Sequence, residues 1–170
     1  ALGYVRAHPA ELGVTAVAVQ DVYVHRQFTL SSGLTAVHIG QRLAGRRVLD
    51  GVITVMVDAD GRVVSAVGTL ARGTPKGTAT LTARRALDLS AARQGAKPRR
   101  VLREADNTTG RRRTFENVYA QNLANPTPVS SELVWFIDDK ARRLRLAWLT
   151  DVESSDHQWN EMALDARTGA

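Results

Sequence analysis

The residues of this chain that could do chemistry are few and widely spaced. Its histidines are His8, His25, His38 and His157. His25 and His38 lie where a hairpin could set them opposite one another, as a metal pair or a general base would need; two histidines on neighbouring strands are more often packed or solvated. His157 and Glu161 are four apart, a spacing that aligns side chains on a helix, whereas their segment reads as a strand. Asp58 and Asp60 ahead of Gly61 resemble the opening of a calcium loop, but the third acidic ligand and the distal glutamate are missing. Aspartate bonds its own backbone in tight turns and glycine supplies positive φ, so "VDADGRV" is read as a hairpin turn.

The larger motifs are also absent: the sequence contains no HExxH, no GxSxG, no phosphate-cradling GxxxxGKS/T and no GxGxxG. With 0 cysteines, disulfides and thiolate metal sites are excluded. The sequence therefore assigns no catalytic, cofactor-binding or metal-binding residue, and no cofactor. Asn107-Thr108-Thr109 matches a glycosylation sequon, which matters only in an exported chain from a glycosylating source.

Charge restricts the partners. The net charge of +6 comes mainly from arginine, in pairs or runs at Arg46-Arg47, Arg84-Arg85, Arg99-Arg100 and Arg111-Arg112-Arg113. Long-range attraction then favours an acidic partner, either nucleic acid or an acidic protein surface. Only 5% of residues are aromatic, and none interleave with the basic clusters to stack bases, which weighs against nucleic acid. No window approaches the unbroken apolar stretch of about 20 residues that a membrane helix needs, and the first residues lack the profile of a secretory signal.

With 170 residues, 44% of them hydrophobic, the chain can bury one sizeable core or two small ones. "ALGYVRAHPAELGV" predicts a short amphipathic helix with Leu2, Val5 and Leu12 on one side, interrupted or restarted at Pro9 and stopped near Gly13. Four β-rich runs follow, "VQDVYVHRQFTL", "GLTAVHIGQRLA", "RRVLDGVITVMVD" and "RVVSAVGTL", broken by hairpin-type connections into an antiparallel meander. In the third run Val52, Thr54 and Met56 point one way and Ile53, Val55 and Val57 the other. Both faces are largely apolar, so one is expected against the helix and the other against a neighbouring element or partner. "ARGTPKGTA" is read as the boundary between two halves.

The second half repeats the order. Thr82 is placed to cap a helix with Ala83, Ala86 and Leu87 at helical spacing, which Gly95 should stop. A basic stretch over 97–113 reads as an exposed insert. Strands are expected to resume with "TFENVYAQNL", "ELVWFID", "RLRLAWLTDV" and "QWNEMALDA", with "DDKAR" turning between the middle two.

The first half resembles the fungalysin/thermolysin propeptide domain, in which a glutamine-bearing strand leads through an "xGxxV" turn into a "VxVDxDGxVxS" hairpin. The matching residues are Gln41, Gly45, Val48, Val55, Val57, Asp58, Asp60, Gly61, Val63 and Ser65, with Gly51 where such sequences more often have alanine. The second half is similar to the PepSY-like region of such propeptides: a helix, then "SSELVWFIDDKARRLRLAWLTDV", then a tryptophan-bearing strand ending in "DAxTG". Trp159, Asp165, Ala166, Thr168 and Gly169 carry that likeness.

The resemblance implies an α+β fold of two cystatin-like lobes, each a helix packed on an antiparallel sheet. They would span residues 1–70 and 80–170, with a linker over 71–79. It implies the propeptide of a secreted fungalysin-like zinc metalloprotease, non-catalytic itself, assisting the folding of the protease domain and inhibiting it. The partner would be that catalytic domain, expected beyond Ala170, with Arg111, Arg112 and Arg113 as docking residues. A stand-alone secreted inhibitory or binding module, or a basic nucleic-acid-binding protein, are the other readings.

Overall fold

The computed structural model describes residues 1–97, 103–104, 112–120, 126–138, 143–153 and 159–170. The opening helix α1 spans only Leu2–Ala7. Pro9 accounts for the early stop, because a proline disfavours helical backbone at the residue before it, and His8 caps the helix at φ −123°. Single turns carry the chain past Gly13 to a 3-10 helix at Ala16–Val19.

The chain divides into two compact units, Ala1–Lys76 with Trp135–Arg145, and Gly77–Val134 with Leu146–Ala170. In the first unit, β1 (Val22–Thr29), β2 (Thr35–Leu43), β3 (Arg46–Val57) and β4 (Val63–Thr69) form an antiparallel meander. Its strands fall inside the four β-rich runs of the sequence. The two-residue period sorts the faces as expected: Val37 and Ile39 of β2 and Ile53 and Val55 of β3 are buried with Val5, Val19, Val22 and Leu70. Leu2, Leu12 and Val14 pack against this cluster from outside.

The β2–β3 turn is Ala44-Gly45, with φ of +46° and +69° and Leu43 paired to Arg46. Two positive φ values match the turn whose twist suits a two-residue hairpin. Alanine adopts that conformation at a cost of about 1 kcal/mol. Beyond the turn the register breaks. Arg42 pairs with Arg47 and Gly40 with Val52, so the single residue Gln41 spans the stretch 48–51 of β3, where Asp50 takes φ +62°. In that bulge Val48 and Leu49 pair in parallel with Trp135 and Phe136, and the Trp135 indole donates to the Leu43 carbonyl at 2.8 Å.

The second unit is built around α2 (Ala83–Arg93). Thr82 caps it as the sequence predicts, its hydroxyl accepting from the Arg85 amide at 3.2 Å. Ala86, Leu87 and Ala91 are fully buried, and Gly95 follows at φ +76°. The strands are β5 (Arg112–Phe115), β6 (Val129–Asp138), β7 (Arg143–Glu153) and β8 (Trp159–Asp165). β5 pairs with β6 and β7 with β8, both antiparallel, and α2 packs on β8. The ends of β6 and β7 belong to the first unit. The "DDKAR" turn beyond Asp138, and most of the basic stretch 97–113, lie outside the described residues. The architecture is mixed α+β, mostly sheet with few helices.

The strand expected from Thr114 to Leu123 differs: β5 ends at Phe115. The cause is Asn117, whose side-chain oxygen accepts from the amides of Tyr119 and Ala120 at 3.0 and 3.1 Å, while its amide donates to the Glu153 carbonyl at 3.1 Å. These bonds close the backbone into a local turn, which competes with strand pairing. Tyr119 is thereby buried, and its hydroxyl donates to Asp88 of α2 at 2.9 Å.

Burial, and then the bond to Asp88, raise the Tyr119 hydroxyl well above the ordinary tyrosine range. A group whose pKa is raised on folding adds stability below its unfolded pKa, about 10 for tyrosine, and loses it as pH rises further. Urea unfolding of the parent chain should therefore weaken above about pH 10. Tyr119→Phe should be less stable by about 1 kcal/mol at pH 8 and show a shallower decline above pH 10. Parallel declines in the two proteins would show that Tyr119 does not contribute to the alkaline loss.

Candidate functional site

One part of the sequence motif of the first unit is arranged around Gln41. It is wholly buried, with its amide nitrogen donating to the carbonyls of Ala18 at 2.9 Å and Ala71 at 3.1 Å, and its side-chain oxygen accepting from the Ala71 amide at 2.8 Å. One side chain thus joins the 3-10 helix, β2 where it faces the bulge of β3, and the segment that leaves β4. The room for it depends on Gly51: a Cβ there would lie 2.8 Å from the Val48 side chain and 3.2 Å from the Gln41 oxygen. The glycine is therefore closely fitted, and an alanine here would force a shift. Gly45 closes the preceding turn and Val48 is buried beside it.

Asp58, Asp60 and Gly61 form a turn held by its own atoms. The Asp58 carboxylate accepts from the amides of Asp60 and Arg62 at 3.0 and 2.8 Å, and the Asp58 amide donates to the Arg62 carbonyl at 2.9 Å. Asp60 meets the Arg62 guanidinium at 3.4 Å in solvent, and Gly61 has φ +82°. Val57 pairs with Val63, and Ser65 lies exposed on β4 opposite Met56. Every bond formed here links turn to turn, as a hairpin requires.

In the second unit Asp165, Thr168 and Gly169 build another closed turn. The Asp165 carboxylate accepts from the amides of Arg167 and Thr168, both at 2.9 Å, and from the Thr168 hydroxyl at 3.1 Å. Ala166 is fully buried, its carbonyl accepting from the amides of Thr80 and Leu81 and its amide donating to Leu146. Gly169, at φ +75°, lies against Leu81 and Leu89, and its carbonyl accepts from the Arg93 guanidinium at the end of α2. The turn thus docks on α2. Trp159 stands 46% exposed at the start of β8.

The basic triplet is partly described. Arg111 lies outside the described residues. Arg112 pairs with Asp151 at 3.0 Å, and Arg113 makes two hydrogen bonds to Glu104 at 3.0 and 3.1 Å. Their short-range bonds are thus made within the unit. Arg113 and Glu104 border an open hollow of about 240 Å³ with Thr82, Ala83, Arg84 and Phe115. It presents a closed ion pair, one further arginine and a capping threonine, without a nucleophile and base in contact.

His25 and His38 are not paired in register. His38 pairs in register with Arg26, not His25, because β1 bulges between Val24 and Arg26. The His38 ring bonds the Thr54 hydroxyl through Nδ1 at 3.1 Å and stacks on Phe28, while His25 lies edge-on to Tyr23. His157 lies outside the described residues. Among the described residues, no group of three or more His, Asp or Glu is placed to hold a metal ion, and no helix is long and apolar enough to cross a membrane.

Sequence reading missed the Trp135–Leu43 bond, the left-handed Ala44 and Asp50, and the Tyr119–Asp88 pair. Asn117, two residues ahead of Tyr119, is a local signal for the turn and not for the distant partner.

Residues 20–70 match the family model described as the Fungalysin/Thermolysin Propeptide Motif. The match runs from just before β1 to just after β4 and includes Gln41 and the Asp58 turn. A search of curated proteins finds no match.

Two substitutions test these roles. Gln41→Met keeps the length of the side chain but leaves the Ala71 amide and the Ala18 and Ala71 carbonyls buried without it, and should cost about 3 kcal/mol in urea unfolding. Gly61→Val, which puts a β-branched residue at φ +82°, should cost about 1–2 kcal/mol, and added calcium should leave the parent melting temperature unchanged. A calcium-dependent rise would make the Asp58 turn a ligand site.

Proposed function

We propose that this chain is the propeptide of a secreted zinc metalloprotease, acting as an intramolecular chaperone for the protease domain and as its inhibitor. The fungalysin/thermolysin propeptide motif over residues 20–70 carries the reading. A second support is that the motif's residues serve the fold: Gln41, Gly45, Gly51 and the Asp58 turn shape one sheet and its bulge. On this reading the chain acts through a surface and is itself non-catalytic.

Two cystatin-like lobes, residues 1–70 and 80–170 around a linker at 71–79, are the architecture that goes with this reading, the second lobe being PepSY-like. The partner is the catalytic domain of the cognate protease. By binding its native-like state the propeptide lowers the barrier to a kinetically trapped fold and covers the cleft until it is removed. Positive charge on an acidic partner speeds encounter. Arg111, Arg112 and Arg113 act in this way at long range, since Arg112 and Arg113 already commit direct bonds to Asp151 and Glu104.

Added in trans, the purified chain should inhibit its own mature protease, raise the yield of refolding, and show no hydrolytic activity. Inhibition should be weaker than in the covalent precursor, where attachment supplies a high effective concentration. Peptide cleavage and refolding yield, followed at low and moderate salt, read both effects. No change in either, with both proteins folded, would remove the functional reading.

A further inference from the structure

The β1–β4 sheet has two faces, and α1 and the 3-10 helix cover one of them. The register places Tyr23, Arg26 and Phe28 of β1 on the other face, in rows with Gly40, His38 and Ala36 of β2. The rows continue through β3 to β4, so that His38, Thr54 and Val67 stand side by side. This face keeps large apolar groups in solvent, with Val67 71% and Phe28 38% exposed. No Asp or Glu occupies a position that the register assigns to it.

Its side chains lie against one another. The Arg26 guanidinium lies 5.2 Å from the Phe28 ring centroid, and that of Arg42 lies 3.9 Å from the ring of Tyr23. The Phe28 and His38 rings stack at 5.6 Å, and His38 is fixed in turn by Thr54 at 3.1 Å. Tyr23 lies flat over Gly40, where a Cβ would stand 2.6 Å from its ring. Aromatic and arginine side chains held in one geometry lose little entropy on binding and are the types that anchor interfaces.

We propose that this face is the surface that docks on the protease domain, and that the partner meets it with carboxylates set among apolar side chains. This rests on the propeptide reading. Charge selects the occupant. Arg26 has no carboxylate partner among the described residues, and Arg42 reaches only Asp21, at 3.7 Å on the rim. A second copy applied face to face would set these arginines against one another with no carboxylate between them, a like-charge arrangement that opposes self-pairing.

The test compares the parent chain with Arg26→Glu/Val67→Asp, with Val67→Asp alone, and with Arg84→Glu as a charge reversal on α2. Inhibition constants are measured against the cognate mature protease, with melting temperatures as the check on folding. The double variant should inhibit about 30-fold more weakly and lose part of its salt dependence, Val67→Asp should fall between, and Arg84→Glu should change inhibition by less than about 3-fold. If the double variant fails to fold, the single variant decides. A parent that inhibits while the folded face variants inhibit equally well would overturn the docking face and leave the propeptide reading intact. A parent that neither binds nor inhibits its protease would overturn both. Loss of a dimer of the free chain, or of DNA binding, in the variants without loss of inhibition would assign the face to another occupant and overturn the proposal.

Discussion

The first unit depends on one buried amide. Gln41 sits where β2 needs an extra span to face a bulging β3, and its side chain supplies hydrogen bonds that the broken ladder cannot. A buried primary amide without partners would cost several kcal/mol, so the site requires partners with fixed geometry. Ala18 and Ala71 provide them from opposite ends of the meander. The same bulge releases 48–49 of β3 from β2 and lets them pair with Trp135 and Phe136. Helix entry, sheet exit and the distant strand end are therefore set by the arrangement around one residue, and Gly51 is small because that arrangement leaves no space for a side chain.

The second unit applies the same principle in several smaller places. Asn117 closes the turn after β5, Asp165 closes the turn after β8, and the Glu153 carboxylate accepts the Thr127 amide inside the protein. The Thr150 hydroxyl donates to Ser90 on the buried side of α2 at 2.8 Å. With 0 cysteines in the chain, loops cannot be tied covalently. Short polar side chains bonded to nearby backbone do the work instead, each worth about 1 kcal/mol when made and more when a buried partner is orphaned.

The strands of the meander and the capped helix were legible because their signals are local. Alternation in "GVITVMV", the "DADG" turn and Thr82 ahead of an alanine-rich run each state a structure within a few residues. What sequence reading missed lies in pairings over long separations. Nothing near Leu43 announces that its carbonyl meets an indole 92 residues away, and nothing near Tyr119 announces Asp88. The end of β5 was misread for a different reason: "TFENVY" is rich in the β-branched and aromatic residues of strands, but Asn117 bonds its own neighbours more favourably than a partner strand would. Among the motif residues, the structure shows the bonds that Gln41 and the Asp58 turn make. Gln41 reads as a polar residue in an apolar strand, and only its burial makes it a hub.

The long pairing also bears on the order in which the first unit can assemble. The meander's strands are joined by short turns, so most of its loop closures are cheap and early. Its bulge, however, is completed by Val48 with Trp135 and by the indole bond to Leu43, across a loop of more than half the chain. Closing that loop costs conformational entropy that the buried indole and the parallel pair must offset together. The first unit therefore reaches its final form only after β6 exists. The ordered face of its sheet lies on strands formed early, and β2 and β3, which share that face, run on into the region that closes late.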